Sequence, residues 1–262
     1  MSGSILSWYL DDDEAQRLYR LHPELKASPD EFCPTCDTTK YYFWNGQKHT
    51  CNCREQLQLH KHYLRANIGV AYQRLSWEDY AGDPVLKRTT DAYLENHANF
   101  VSRGIGLLLH GDVGTGKTMA ATLLLKDLVK RRYNCFATTF SSMVEMFTAG
   151  WYSPEERSYF ESKIVRSDVL LLDDLGKEQR TKTKLSESTF DHVLRQRVQS
   201  GRPTLLTTNM TKGELSEGYG KAILSLLREV SIAYEVQGSD YRPQSNQRMM
   251  REVQNGEFRP IF

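Results

Sequence analysis

Gly111, Gly114, Gly116, Lys117 and Thr118 follow the order G-x-x-x-x-G-K-T within the run GDVGTGKT. That spacing suits the close approach of backbone N–H groups to polyphosphate oxygens, which side chains at the three glycines would obstruct. The apolar run Leu107-Leu108-Leu109 before it reads as a strand, and Met119-Ala120-Ala121 after it opens a helix. Phosphates would then lie at the helix N-terminus, where unpaired N–H groups and the helix dipole favour negative charge. The expected nucleotide-binding segment is Gly111, Asp112, Val113, Gly114, Thr115, Gly116, Lys117, Thr118 and Met119. Lys117 is expected to reach the β- and γ-phosphates of ATP, and the Thr118 hydroxyl to take a Mg2+ coordination position.

A second group of residues supplies carboxylates. Val169 to Leu172 are apolar and are followed by Asp173 and Asp174, as expected for a strand buried on both faces of a parallel sheet and ending at the edge where ligands collect. Asp173 is the expected Mg2+-side carboxylate and Asp174 the residue that polarises the attacking water. A third strand reads from Pro203 to Asn209; the amide of Asn209 at its end suits a hydrogen bond to the γ-phosphate or to that water, and Thr208 is a weaker candidate.

The elements that hold these residues alternate between strand and helix. Helical spacing is expected over residues 54–67, 85–100 and 117–131, and from Pro154 through PEERSYFESKIV. Cys135 to Thr139 reads as a strand, with Ser141 or Ser142 as the cap of a helix running to Thr148, and a further helix is expected from Ser188 to Gln199. This alternation predicts an α/β fold with a mostly parallel sheet.

Four of the five cysteines, Cys33, Cys36, Cys51 and Cys53, form a C-x2-C and C-x-C pair within a short stretch. Four thiolates can satisfy tetrahedral Zn2+, so a structural metal site is expected, with a redox cluster or unligated thiols as alternatives and His49 as a substitute ligand. The aromatic residues around them, Tyr41 to Trp44, are too few for an independent core, and metal binding would supply folding energy that packing cannot. Cys135 reads as a small core side chain.

At 262 residues the chain can hold one sizeable core and a small appendage. No apolar stretch approaches the roughly 20 residues that cross a bilayer, and the acidic start lacks the features of a secretory signal, so a cytoplasmic protein with no membrane partner is expected. The formal net charge of +1 confines any nucleic-acid contact to local patches. One such patch is Lys177, Arg180, Lys182 and Lys184, which reads either as a contact to single-stranded DNA or as a solvated loop.

Taken together, GDVGTGKT, VLLLDDLG, PTLLTTNM and the stretch from Tyr219 to Arg242 resemble the AAA+ helicase loaders of the DnaC and DnaI type, relatives of the IstB transposition ATPases. The resemblance covers residues 85 to 245 and implies a P-loop ATPase that assembles with copies of itself around single-stranded DNA. In that pattern Arg242 of GSDYR matches a sensor arginine for the γ-phosphate, and a trans-acting arginine is expected within Ser225 to Glu229. Leu226 stands where many relatives carry that arginine. Arg228 is the candidate for the role, although two positions rotate a helical side chain by about 200°; a helix-surface charge is the plainer reading. The N-terminal region resembles the zinc-bearing domain of DnaI-type loaders, which implies a replicative DNA helicase as partner. The expected organisation is a zinc-binding docking module over residues 1–60, a linker over 61–84 and an AAA+ domain over 85–262. The expected function is ATP-dependent helicase loading; the alternatives are a transposition ATPase on duplex DNA and a nucleotide-binding adaptor with little hydrolysis.

Overall fold

The computed structural model describes residues 12–176 and 184–262. Their core is a five-stranded parallel sheet formed by β3 (Gly106–His110), β4 (Cys135–Thr139), β5 (Val169–Leu175), β6 (Thr204–Thr208) and β7 (Ser231–Glu235), in the order β4-β5-β6-β3-β7. Alternating side chains feed opposite faces: Leu107, Leu109, Leu171 and Leu205 enter one apolar cluster, whereas Leu108, Leu170, Leu172 and Leu206 enter another. Burial on both faces explains why these strands read as unbroken apolar runs.

The first face is covered by α2 (Cys53–Arg65), α4 (Pro84–Glu95) and α6 (Lys117–Lys130), through Tyr63, Leu86, Leu124 and Leu128. The second is covered by α7 (Phe140–Ala149), α9 (Lys184–Gln199) and α10 (Lys212–Val230), where Phe140, Phe190 and Tyr219 meet in edge-to-face contacts. Before the sheet lie α1 (Asp12–Leu21), an antiparallel hairpin of β1 (Tyr41–Trp44) and β2 (Gln47–Thr50), α3 (Val70–Gln73) and α5 (His97–Ser102). Between α7 and β5, α8 (Pro154–Phe160) continues into a π-helical turn, Glu161–Val165, and α11 (Arg242–Gln254) follows β7.

Several element bounds differ from the sequence expectation. The helix expected over 85–100 breaks at Asn96, where α4 ends and α5 begins. Thr139, not Ser141 or Ser142, caps α7; its hydroxyl accepts the Ser142 N–H at 3.1 Å. The hairpin of β1 and β2, and α11, carry too weak a periodicity to read from one sequence.

The last residues cross back to the cysteine-bearing region. Phe258 N–H donates to Phe43 O at 2.8 Å, the Gln56 side chain exchanges two hydrogen bonds with the Ile261 backbone, and Tyr63 Oη donates to Phe262 O at 2.6 Å. Arg259 lies 4.2 Å over the Trp44 ring and pairs with Asp79 at 2.6 Å and Glu252 at 2.8 Å. With both partners nearly buried, this network holds the hairpin, α11 and the segment before α4 in one arrangement.

Lys126 of α6 is buried and donates to the carbonyls of Tyr72, Gln73 and Leu75. Burial pushes its ammonium down to about 7. The folded state therefore binds fewer protons than the unfolded chain between about pH 7 and the ordinary lysine range, so stability rises with pH across that window. Urea titrations should show a slope approaching one proton, about 1.4 kcal/mol per pH unit, that Lys126→Met removes; an unchanged slope in the variant would assign the effect elsewhere.

Candidate nucleotide and metal sites

The phosphate-loop motif sits between β3 and α6, on the C-terminal edge of the sheet. Each of its glycines meets a neighbour that a side chain would strike. Gly111 has φ +137°, with Val236 O 2.7 Å from where a Cβ would stand, and Gly114 has φ +83°, with Asp240 Oδ1 at 2.1 Å. Gly116, at φ +88°, is the N-cap of α6 and abuts the Tyr80 ring. Left-handed backbone and close approach together account for glycine at these positions.

Lys117 turns back into the loop. Its Nζ donates to Gly111 O at 2.9 Å, Asp112 O at 2.6 Å and Thr115 Oγ1 at 3.4 Å. Burial pushes this ammonium below its ordinary range, the carboxylates of Asp112, Asp174 and Asp173 oppose that shift, and Arg242 adds to it. The structure thus gathers one cation, three acids and the first residue of α11 into a single electrostatic neighbourhood. Thr115 is buried, Val113 is exposed, and Met119 lies in the first turn of α6.

Asp173 and Asp174 lie near the C-terminal end of β5, beside this loop. Thr118 Oγ1 donates to Asp173 Oδ1 at 2.8 Å, joining the phosphate loop to the acidic strand. Thr207 of β6 bonds the same carboxylate oxygen through its hydroxyl and accepts the Asp174 N–H at 3.0 Å. The β5–β6 register shifts between Leu172 and Leu175, and Asp174 adopts φ +60°. An irregularity of this kind re-aims a side chain at a strand end, and Asp tolerates the left-handed region better than most residues.

Asn209 follows β6 and is exposed, while Thr208 Oγ1 is turned inward, donating to Leu175 O at 2.6 Å. Arg242 opens α11; the Tyr241 N–H before it donates to Gly114 O of the loop at 3.1 Å, and the Arg242 N–H donates to Asp240 Oδ1 at 2.9 Å. Arg228 is exposed on the last turns of α10, whereas Leu226 is partly buried and packs against the core. Lys177, Arg180 and Lys182 lie outside the described residues; Lys184 is exposed at the start of α9.

Two neighbours of the site were not evident from motifs. Thr207 needs the β5–β6 pairing to be seen as the bridge between the two acids. Tyr80, stacked edge-on against Trp77 at 5.7 Å, needs the fold to bring residues before α4 under the loop. Asp83 fixes that segment: Oδ1 accepts the Val85 N–H at 2.8 Å, and Oδ2 accepts Tyr234 Oη at 2.7 Å and the Gln237 N–H at 3.1 Å.

The cysteine cluster is separate. The sulfurs of Cys33, Cys36, Cys51 and Cys53 all lie within 4.8 Å of one another, and all four residues are buried. Cys33 and Cys51 are 3.7 Å apart and Cys36 and Cys53 3.5 Å apart, close to the roughly 3.8 Å edge of a tetrahedron with Zn–S bonds of about 2.3 Å. The donor set can therefore chelate a metal ion. His49 instead stacks on Tyr42, with its Nε2 3.1 Å from Trp44 O. Cys135 is a buried core side chain. Among the described residues no helix is long and apolar enough to cross a membrane.

Comparison with known proteins gives the same picture. The replicative helicase loader DnaC of Escherichia coli (strain K12) is 23% identical over 181 residues, covering 66% of this chain and 70% of the relative. The crystal structure of the DnaC helicase loader superposes with a TM-score of 0.58 at 19% identity, covering 64% of this chain and 100% of that one. The crystal structure of DnaI gives a TM-score of 0.54 at 21% identity, over 64% of this chain and 94% of that one. At such identities the structural likeness establishes the fold. The family described as IstB-like ATP binding protein matches residues 58–248, from within α2 to within α11. With a phosphate loop, an acidic strand joined to it through Thr118, and a family match over most of its length, the chain belongs to the IstB-like ATP-binding family of AAA+ proteins, to which the DnaC and DnaI loaders are related.

Proposed function

We propose that this protein is an ATP-dependent loader of a replicative DNA helicase onto single-stranded DNA, working in the cytoplasm as a self-assembling ATPase. The observation that supports the ATPase part is the Thr118–Asp173 hydrogen bond at 2.8 Å, which pairs a hydroxyl with a carboxylate that one divalent cation could take together. The loader part is supported by the similarity to DnaC and DnaI and by the cysteine module at the N-terminal side of the ATPase core.

In this reading the N–H groups of residues 111–119 cradle the phosphates of ATP, and Lys117 exchanges its loop carbonyls for β- and γ-phosphate oxygens. Thr118 and Asp173 would hold Mg2+, which supplies positive charge against the triphosphate. Asp174 orients the attacking water, Asn209 bonds that water or the γ-phosphate, and Arg242 contacts the terminal phosphate from α11. Positioning and charge stabilisation carry the chemistry. Arg228, exposed at the end of α10, acts in a neighbouring copy; because Leu226 is packed inward, the neighbour's interface must be built around the later position. Cys33, Cys36, Cys51 and Cys53 would hold Zn2+ and thereby fold a module, within residues 1–60, that docks on the helicase. Residues 61–84 link it to the ATPase domain, residues 85–262. Lys177, Arg180, Lys182 and Lys184 are assigned to single-stranded DNA.

Asp174→Asn tests the hydrolytic assignment. Asn accepts the same left-handed backbone, so the loop keeps its shape while losing the charge that polarises water. Phosphate release should fall about a hundredfold with ATP binding retained; unchanged release would remove Asp174 from the reaction.

Two other readings keep specific support. The matched family is described by its IstB-like members, which favours a transposition ATPase on duplex DNA as second choice. The inward packing of Leu226 favours an adaptor with little hydrolysis, for which phosphate release at saturating ATP and DNA is the discriminating measurement.

A further inference from the structure

A cavity of about 730 Å³ lies away from the phosphate loop. It opens between α1, the C-terminal end of α2 with the residues after it, and α8 with its π-helical turn. Asn67 Nδ2 donates to Ala137 O of β4 at 2.8 Å, so the cavity lies at the opposite sheet edge from β7, with β5 and β6 between β4 and the phosphate-loop strand.

Its walls are strongly cationic. Arg17 and Arg20 come from successive turns of α1, Arg65 from the end of α2, and Lys163 and Arg166 from the π-helical turn and the residue after it; Glu155 is the acid in the lining. Arg17 is held by Glu156 at 3.2 Å and lies 3.7 Å over the Tyr159 ring, and Arg166 pairs with Glu161 at 3.1 Å. Five lysine and arginine residues against one acid line the cavity. Lys163 is 3% exposed, its ammonium 5.8 Å from the Phe136 ring centroid. Charges set in low-dielectric walls attract anions more strongly than the same charges on an open surface. Ser158, Ser162 and Asn67 add hydrogen-bonding groups suited to phosphate oxygens. A π-helical turn is rare and often found at functional sites; here it brings Ser162 and Lys163 into the same wall.

We propose that this cavity is a second anion site, which binds phosphate esters between α1 and the π-helical turn and so ties the N-terminal helix to the ATPase core. The same chemistry is offered by the phosphodiester backbone of a single strand and by the phosphates of a free nucleotide. This site stands apart from the ATP reading and does not rest on it.

The test uses the full chain carrying Lys117→Ala, so that the phosphate loop contributes little, with two probes: a fluorescent 20-nucleotide oligothymidine and inorganic tripolyphosphate. Arg20→Glu with Arg166→Glu alters two exposed side chains. Lys48→Glu with Arg103→Glu, also exposed and outside the cavity, makes the same change in net charge. An oligonucleotide affinity that falls at least tenfold in the cavity variant but not in the control supports the site with nucleic acid as its source. Tripolyphosphate binding that falls at least tenfold in the cavity variant alone, with oligonucleotide binding unchanged, supports it with a free nucleotide as source. Equal affinities in the parent, cavity and control proteins, or equal losses in both variants, overturn the proposal.

Discussion

Lys117→Ala should abolish the proposed ATP-dependent self-assembly while leaving any metal held by the cysteine cluster in place. The ammonium lies within the loop and is bonded to Gly111 O, Asp112 O and Thr115 Oγ1, so little rearrangement separates it from the β- and γ-phosphates. A charge-assisted hydrogen bond contributes roughly 1.5–3 kcal/mol, which lowers ATP affinity roughly ten- to a hundredfold when it is lost. The cysteine cluster shares no residue with the loop, so unchanged metal content controls for unfolding. Light scattering with and without ATP reads the result, and assembly that persists in the variant would remove the phosphate loop from the switch.

Arg197→Met should destabilise the fold by about 3–5 kcal/mol, because several buried acceptors lose their donor at about 1–3 kcal/mol each before relaxation. Arg197 is fully buried at the end of α9, and its guanidinium ties that helix to the segments that lead into β5 and β6. It donates to Ile164 O at 2.9 Å, Val165 O at 3.2 Å and Ser167 O at 3.0 Å ahead of β5, and to Thr204 Oγ1 at 3.0 Å and Pro203 O at 2.7 Å at the start of β6. Methionine fills the volume and strands those acceptors in a region that water does not reach, each at a cost of about 1–3 kcal/mol before relaxation. Urea unfolding with an unchanged m-value measures the loss. Arg197→Lys, which can satisfy some of the acceptors, should fall between the two; a loss under about 1 kcal/mol in Arg197→Met would show that the acceptors find other partners.

The site residues differ in how far a single sequence exposes them, and the difference has a physical cause. The phosphate loop is local: its glycines, lysine and threonine must be adjacent because one turn of backbone wraps the phosphates. Asp173 and Asp174 were legible for a related reason, since a strand buried on both faces reads as an apolar run and its polar end marks the sheet edge. The cysteine cluster carries its own spacing. Thr207, Tyr80 and Asp83 are different, because each acts through a partner distant in sequence: Asp174 on a neighbouring strand, Gly116 in the phosphate loop, Tyr234 on the edge strand β7. A threonine in a strand and an aspartate before a proline have ordinary local roles, and only pairing and packing give them these. Lys126 and Arg197 are the extreme case. Lysine and arginine at helical positions normally read as solvated charges, yet both are buried on carbonyl groups that the fold supplies. The register shift at Asp173 and Asp174 is likewise invisible before β5 and β6 are paired.

The most direct test of the loader function is size-exclusion chromatography with light scattering of the purified protein mixed with the replicative helicase of its host, with and without ATP and single-stranded DNA. A stable co-complex whose composition changes with nucleotide is the predicted result. A folded, metal-loaded and ATP-binding protein that forms no complex with the helicase, and instead assembles on duplex DNA, would contradict the loader function and favour the transposition ATPase.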